Sequence, residues 1–426
     1  MQRRRASALL VVAALLVGAC SSSTSDGGPT VDVFGVYRGE EATQFAATIA
    51  RFETATGIDV RYVGAGSFAV EIQDRVADAN YPDIAIFPQP ALIRDFAERG
   101  LLVPLPPDIT QAMVASIPSM PGWSLDGTEY GVWFRASVKS LVWYPPDVFA
   151  ERGYEVPQSW EELMALTREI AADGTAPWCL AMESFGSTGW VGTDWIEDIV
   201  LRFAGSYFYD AWVDGTLAFT DEVIVAAFET FAEIVDEPDL VLGGAQRILN
   251  TRWQDAADPM FADVPECLLH RQASFHKASL PDGVEIGEDV DVFALPAPGG
   301  GTPPVVVAGD VAAAFNDRPE VMEFLAYLGT AEAGEPWAEL GGFTSPHSDF
   351  DVAAYADEFD RRMGEMIAEA PVVRFDGSDE MDPAVGSGTF WSGMRTFVRT
   401  ANIQLAVEEI QAGYGQPAAS ETDESS

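Results

Sequence analysis

Tyr81-Pro82-Asp83-Ile84-Ala85-Ile86-Phe87 is a bend followed by four consecutive apolar residues. A run that short and that apolar, entered through a proline bend, reads as a strand buried on both faces. Its flanks are helical. Phe68 to Ala79 precedes it with apolar residues at helical spacing, and Ala91 to Glu98 follows it and stops at Gly100, ahead of Leu101 to Leu105. Upstream the pattern repeats. Val31 to Val36 alternates as a strand, Glu40 to Thr54 puts Phe45, Ile49 and Phe52 on one helical face before Gly57, and Ile58 to Val63 is a second strand. This β-α-β-α-β-α alternation predicts an α/β fold with a mostly parallel sheet covered by helices on both faces. Ligands of such sheets bind at the carboxyl ends of the strands.

The chain starts with a processing signal. Arg3-Arg4-Arg5 precedes the apolar run Ala6 to Ala19, which is too short to span a bilayer comfortably. Leu16-Val17-Gly18-Ala19-Cys20, followed by Ser21-Ser22-Ser23, looks like a bacterial lipobox, in which Cys20 would be acylated and become the mature N-terminus. An ordinary signal peptide with an incidental cysteine is the alternative. Residues 1–20 are therefore expected to be a lipoprotein signal, and 21–30, rich in Ser, Gly and Thr, a flexible tether. The tail 416–426 is acidic and expected to be disordered.

Composition narrows the partners. The formal net charge is −43, and removal of the three leader arginines makes it −46 (−43 − 3). Nucleic acid is excluded as a partner, because little could neutralise its phosphates. The only lysines are Lys139 and Lys277. Such acidity fits a salty or extracellular medium, and equally a biased genome composition. With Cys20 assigned to the lipobox, Cys179 and Cys267 remain. In an exported protein they are expected to form a disulfide.

The rest of the chain extends the alternation. Leu141 to Tyr144 reads as a strand. Ser159 with Glu162 forms a capping box opening the helix Leu163 to Ala171. Trp178 to Met182, Cys267 to Leu269, Val290 to Pro296 and Val305 to Ala308 read as strands. Val223 to Val235, Glu320 to Leu328, Ala331 to Leu340, Phe350 to Glu369, Phe390 to Arg399 and Leu405 to Ile410 read as helices.

A family resemblance rests on several of these segments. They are Thr56-Gly57-Ile58-Asp59-Val60, Pro82-Asp83-Ile84, Phe96 to Leu105, Ser140 to Phe149 and Ser159-Trp160-Glu161-Glu162-Leu163. In order and spacing they resemble family 1 extracellular solute-binding proteins, the substrate-binding subunits of ABC importers, of which maltose-binding protein is the best-known relative. The resemblance spans nearly the whole mature chain. The Trp178-Cys179 segment, Gly189 to Asp198 and Cys267 to Phe275 look most like the subgroup that binds α-glucosides and oligosaccharides. It implies a two-lobed type II periplasmic-binding-protein fold, each lobe a mixed sheet flanked by helices, with the ligand cleft between lobes. It further implies an N-terminal lobe of 31–136 plus 290–344 and a C-terminal lobe of 137–289 plus 345–415. Three crossings would join the lobes, the third at Gly341 to Pro346. The implied partners are a small-molecule sugar, the transmembrane permease subunits and the membrane through the lipid anchor; the protein is expected to be a monomer with no cofactor.

Gly189-Trp190-Val191-Gly192-Thr193-Asp194-Trp195-Ile196-Glu197-Asp198 puts two tryptophans and a carboxylate within six residues. Flat rings stack on the apolar face of a sugar and carboxylates accept hydroxyl hydrogen bonds. Core tryptophans with Asp194 as a helix cap is the competing reading. If Asp194 faces the ligand, its removal should weaken binding and leave stability nearly unchanged. The resemblance adds Gln89, Trp253, Phe275, Asp310, Phe343 and Trp391 as ligand contacts, with Trp391 in a segment like the relatives' stacking tryptophan. Arg135, near the first crossing, is a further candidate.

Catalytic patterns are weak. His270, His276 and His347 lack metal-ligand spacing and read as surface or loop residues, so no metal site is expected. Neither a Gly-x-Ser-x-Gly elbow nor a phosphate loop occurs. Carboxylates such as Asp194 and Asp310 could form a glycosidase pair by residue type. The rivals to a binding protein are thus a secreted carbohydrate-active hydrolase and the same fold holding a non-sugar solute.

Overall fold

The computed structural model describes residues 28–66, 68–117, 124–125 and 127–415. The leader with Cys20, most of the tether and the tail from 416 lie outside the described residues. The strands, in chain order, are β1 (Thr30–Gly35), β2 (Asp59–Gly64), β3 (Ile84–Phe87), β4 (Ser124–Leu125), β5 (Thr128–Glu129), β6 (Gly131–Val138), β7 (Leu141–Tyr144), β8 (Ala176–Trp178), β9 (Cys267–Arg271), β10 (Asp291–Ala294), β11 (Val305–Ala314) and β12 (Val373–Phe375). They build a six-stranded sheet of order β12-β11-β3-β1-β2, with β6 also on β11, and a four-stranded sheet of order β10-β7-β9-β8. β1 runs parallel to both β2 and β3, whereas β11 is antiparallel to β3 and β6.

The apolar run at β3 sits where its composition requires. Successive strand side chains point to opposite faces. Ile84 and Ile86 join Val31 and Val33 in one core, and Ala85 and Phe87 join Phe34 in the other. A third core, built on Trp178, Trp195, Phe228 and Phe231, belongs to the smaller sheet and its helices. Ser159 caps the helix Trp160–Ala172 by accepting from the Glu162 N–H at 3.2 Å, and Glu162 reaches back to the Gln158 N–H at 2.7 Å.

The chain passes between the sheets at points that place the site. Lys139-Ser140 links β6 of the large sheet to β7 of the small one. The segment 295–304 returns from β10 to β11. The crossing expected at Gly341 to Pro346 lies elsewhere: the Thr344 carbonyl accepts from the Ala136 N–H of β6 at 2.9 Å, and the chain stays with the large sheet through β12, passing to the small-sheet helices after Phe375, where the Gly377 N–H donates to Glu197 at 3.1 Å. Strand pairing departs from the division drawn from sequence in two places. β10 lies within 290–344 yet pairs with β7 of the small sheet. β12 lies within 345–415 yet pairs with β11 of the large sheet. Strand membership follows hydrogen bonding, which a linear division does not see.

Element boundaries also move, and the strand expected over Val305 to Ala308 runs on to Ala314. The strand expected over Trp178 to Met182 is β8, ending at Trp178. The helix expected over Phe350 to Glu369 begins at Glu358, where the Asp357 side chain caps it by accepting from the Asp360 N–H. The expected disulfide is present, with the Cα atoms of Cys179 and Cys267 5.4 Å apart.

Candidate ligand-binding site

A cleft lies beside the Lys139-Ser140 link. It has two chambers, of about 330 and 300 Å³, which share Gln89, Lys139, Phe275 and Asp379 in their walls. The first is aromatic. Trp190 opens the helix Trp190–Phe203, Trp253 opens a short helical turn after the Gly244–Asn250 helix, and Phe275 follows β9. Their rings meet at steep angles: Trp190 to Trp253 at 5.3 Å and 78°, Trp253 to Phe275 at 5.7 Å and 80°. Trp391 also lines this chamber, and its buried indole N–H donates to no protein group. Gly189 brings it there. At φ 122° a Cβ on residue 189 would lie 2.3 Å from the Trp391 carbonyl oxygen, so only glycine lets the two helix starts meet.

Charges line the inner wall. The Lys139 ammonium donates to Asp194 Oδ1 at 3.0 Å and lies 2.7 Å from Asp376 Oδ2. Behind it Arg271 Nη1 donates to Asp194 Oδ2 at 2.9 Å, and Arg271 Nε to Asp198 Oδ2 at 3.0 Å. Asp198 also accepts from Arg202 and, at 2.6 Å, from the Ser140 hydroxyl. Helical spacing makes this network possible: Asp194, Asp198 and Arg202 stand four residues apart on one stripe of the helix. Burial pushes the Asp194 carboxyl above its ordinary value, and Lys139 and Arg271 pull it back. Burial would raise Asp376 as well, but Lys139 reverses this and holds it below the usual range. Burial, then Asp376 and Asp194, push Glu197 well up. Oxygens of Asp194, Glu197 and Asp376 lie within 4.8 Å of one another, a grouping able to hold a metal. The Lys139 ammonium already supplies a cation to two of them.

The second chamber is walled by Tyr37, Glu41, Arg135 and Asp310, among others. Asp310 gets there through an irregularity: the β11–β6 register shifts between Asp310 and Val311. Gly309 permits it, since a Cβ there would lie 1.9 Å from the Arg135 carbonyl oxygen. Burial raises the Asp310 carboxyl to about 6 against the pull of Arg135, whose guanidinium lies 3.8 Å away. Arg135 also donates to Glu41 at 2.8 Å and lies over the Trp337 ring at 4.7 Å.

Of the residues named from sequence, Gln89, Trp190, Asp194, Trp253, Phe275 and Trp391 line the first chamber and Asp310 the second. Two are brought elsewhere. Trp195 is 1% exposed and packs on Trp178 and Phe231 in the small-sheet core. Phe343 is 1% exposed among Phe134, Trp337 and Phe350. Asp194 caps nothing, since it lies inside its helix, and its ion pairs contradict the expectation that it could be removed without loss of stability. The histidines are not surface residues. His270 and His276 pack ring to ring at 4.7 Å beneath Trp143, and His347 is held by the Ser116 hydroxyl at 2.8 Å. Lys139, Asp376, Ser378 and Asp379 were missed. Lys139 carried a usable signal, being one of two lysines in an acidic chain and sited at a crossing.

The model of the family described as bacterial extracellular solute-binding protein matches residues 38–335. The chain belongs to that family. The osmoprotective compounds-binding protein GgtB of Synechocystis sp. is 42% identical over 396 residues, which is 90% of this chain and 92% of that protein. The alpha-glucosides-binding periplasmic protein AglE of Rhizobium meliloti is 38% identical over 383 residues, 87% of this chain and 84% of that protein. Among solved structures, the bacterial solute receptor AcbH, with a preference for β-D-galactopyranose, superposes with a TM-score of 0.75 at 20% identity over 90% of this chain and 98% of its own. The fold is thus the two-lobed type II binding-protein fold, and in this solute-binding protein the two chambers form one cleft beside the crossings.

Proposed function

We propose that this solute-binding protein is the receptor of an ABC importer for a neutral, polyhydroxylated solute, an α-glucoside or a related osmoprotective glycoside. The observation that carries the reading is the first chamber. Steeply angled Trp190, Trp253 and Phe275 rings offer stacking faces, and Lys139, Asp376 and Asp379 beside them offer charge-assisted partners for hydroxyls. The lining cations are themselves ion-paired, so the cleft presents no unopposed positive charge to an anionic ligand. The relative named for α-glucosides supports the same ligand class.

Gln89, Asp310 and Trp391 complete the set of ligand contacts in this reading. The lobes close over the solute and the closed form docks on the permease. The protein acts as a monomer tethered to the outer face of the membrane through Cys20, which the leader sequence supports. It performs no catalysis. Asp194, a carboxylate lining the aromatic chamber, is held by Lys139 and Arg271, unlike the free acid a glycosidase needs. Mass spectrometry of the small molecules released on gentle unfolding of purified protein tests the reading. A glucoside or neutral glycoside is expected; a charged solute would overturn it.

A further inference from the structure

Glu197 is fully buried on the helix Trp190–Phe203, and among the described residues no lysine or arginine pairs with it. Carboxylate oxygens of Asp194 and Asp376 stand within 4.8 Å of its own. Those two share the Lys139 ammonium, which lies 3.0 Å from the first and 2.7 Å from the second. A carboxylate buried beside two others and given no cation opposes folding. A neutral amide of the same size would cost less there. Stability alone therefore does not account for an acid at this position.

Its hydrogen bonds show what the acid holds. β12 ends at Phe375, and Asp376 caps the short helix Gly377–Glu380 by accepting from the Asp379 N–H at 3.1 Å. The first N–H groups of a helix have no partner within it. Glu197 takes two of them: Oε2 accepts from the Gly377 N–H at 3.1 Å and Oε1 from the Ser378 N–H at 3.2 Å. Thr193, one turn earlier on the same helix face, brings its hydroxyl to 3.2 Å from the Ser378 hydroxyl. Trp190 stands one turn further back, where that face begins. One face of one helix thus carries a ring of the aromatic chamber and the acceptors for the segment that brings Ser378 and Asp379 to the same chamber.

We propose that Glu197 is a positioning residue for ligand binding, seating the crossing after Phe375 on the Trp190 helix and so fixing Ser378 and Asp379 in the cleft wall. The inference rests on the reading of the cleft as a glycoside site and deepens it. Glu197 lines neither chamber, so it acts through the segment it holds. A carboxylate accepts from both N–H groups at once, and each bond is charge-assisted. A glutamine in its place would accept from one and set its own amide N–H against the other. The Gly377–Glu380 turn would then lose the fixed spacing from Trp190 that lets sugar hydroxyls meet Ser378 and Asp379 while the sugar ring meets the indole. Holding that spacing beforehand reduces the ordering lost on binding.

The test is a double-mutant cycle read by calorimetry and thermal melts. The probe is whichever of methyl α-glucoside, maltose, sucrose and trehalose the wild type binds best. Glu197→Gln is expected to weaken it by about five- to tenfold, while the melting temperature holds or rises. In a Ser378→Ala, Asp379→Ala background the same change should cost less than about twofold, because the groups that Glu197 positions are gone. In a Trp253→Ala background, whose ring Glu197 does not hold, it should cost the full amount. Unchanged affinity in Glu197→Gln, a clear fall in its melting temperature, or equal losses in both backgrounds would overturn the positioning role and leave the glycoside reading in place. A wild type that binds none of these sugars would overturn the glycoside reading, and the positioning role with it.

Discussion

Asp194 and Trp253 both line the aromatic chamber, yet removing them should do different things. Asp194 is bonded to Lys139 and Arg271, all three buried. Asp194→Ala leaves two buried cations short of a partner, which typically costs about 3–5 kcal/mol. Its melting temperature should fall clearly, so its affinity cannot be read as a contact energy. Trp253 is half-buried, packs at the edge of the small-sheet core and meets the Trp190 and Phe275 rings, with no ion pair. Trp253→Ala should weaken glycoside binding by roughly tenfold or more, about 1.4 kcal/mol. Its melting temperature should shift by only a few degrees. Calorimetry and thermal melts on the pair check both; the reverse pattern would place Asp194 on the ligand and Trp253 in the core. Helical geometry would have separated Trp190 from Trp195 at the outset. Five residues on one helix turn the side chain by about 140°, so the two cannot share a face. Phe343 offered no such clue, since an aromatic beside a glycine loop reads the same whether it faces core or cleft.

At the scale of elements, β9 gathers several groups. Its first residue carries the disulfide to Cys179, and the His270 Nδ1–H donates to the Cys179 carbonyl at 2.7 Å. The bridge closes a loop of 88 residues in sequence separation, for which the chain-entropy model gives about 4–5 kcal/mol. The Cys179→Ala, Cys267→Ala double variant should therefore lose about 2–5 kcal/mol in denaturant unfolding. An unchanged midpoint would mean that the strands hold the region without it. The pairing was legible because export left two cysteines unassigned; the burial of His270 and His276 was not, since neither sits in an apolar run.

That histidine pair gives stability an acid limb. Burial lowers His270 to about 4 and His276 well below its ordinary value, the latter with help from His270. The unfolded chain binds these protons below about 6.5, where the native state does not. The contribution is fully present above about 6.5, and is lost as pH falls from there toward 4. Asp310, raised to about 6, acts with the opposite sign, so the variant comparison isolates the pair. Replacing both histidines by Gln should flatten the drop in melting temperature between pH 7 and 5. An identical drop in wild type and variant would mean that the pair does not set the acid limb.

The whole molecule works through the placement of its crossings. Lys139-Ser140 ties the sheets together at the cleft: the Ser140 hydroxyl accepts from the Val306 N–H at 2.8 Å and donates to Asp198, while Lys139 reaches Asp194 and Asp376. The alternation from Val31 to Leu105 was readable because period and punctuation are local. Strands β10 and β12 were misassigned because their sheet is decided by partners far away in sequence. Asp376 and Asp379 went unseen for a similar reason, since only the folded chain brings them to Lys139.

In the proposed reading, the cleft beside these crossings holds a neutral glycoside. Isothermal calorimetry of the ligand-free protein against α-glucosides and oligosaccharides, with an inorganic phosphate and a polyamine as charged controls, tests it most directly. Saturable one-to-one binding to at least one glucoside is expected, abolished or strongly weakened in Trp190→Ala, with no heat from the charged controls. Binding of a charged control with no heat from any sugar would contradict it.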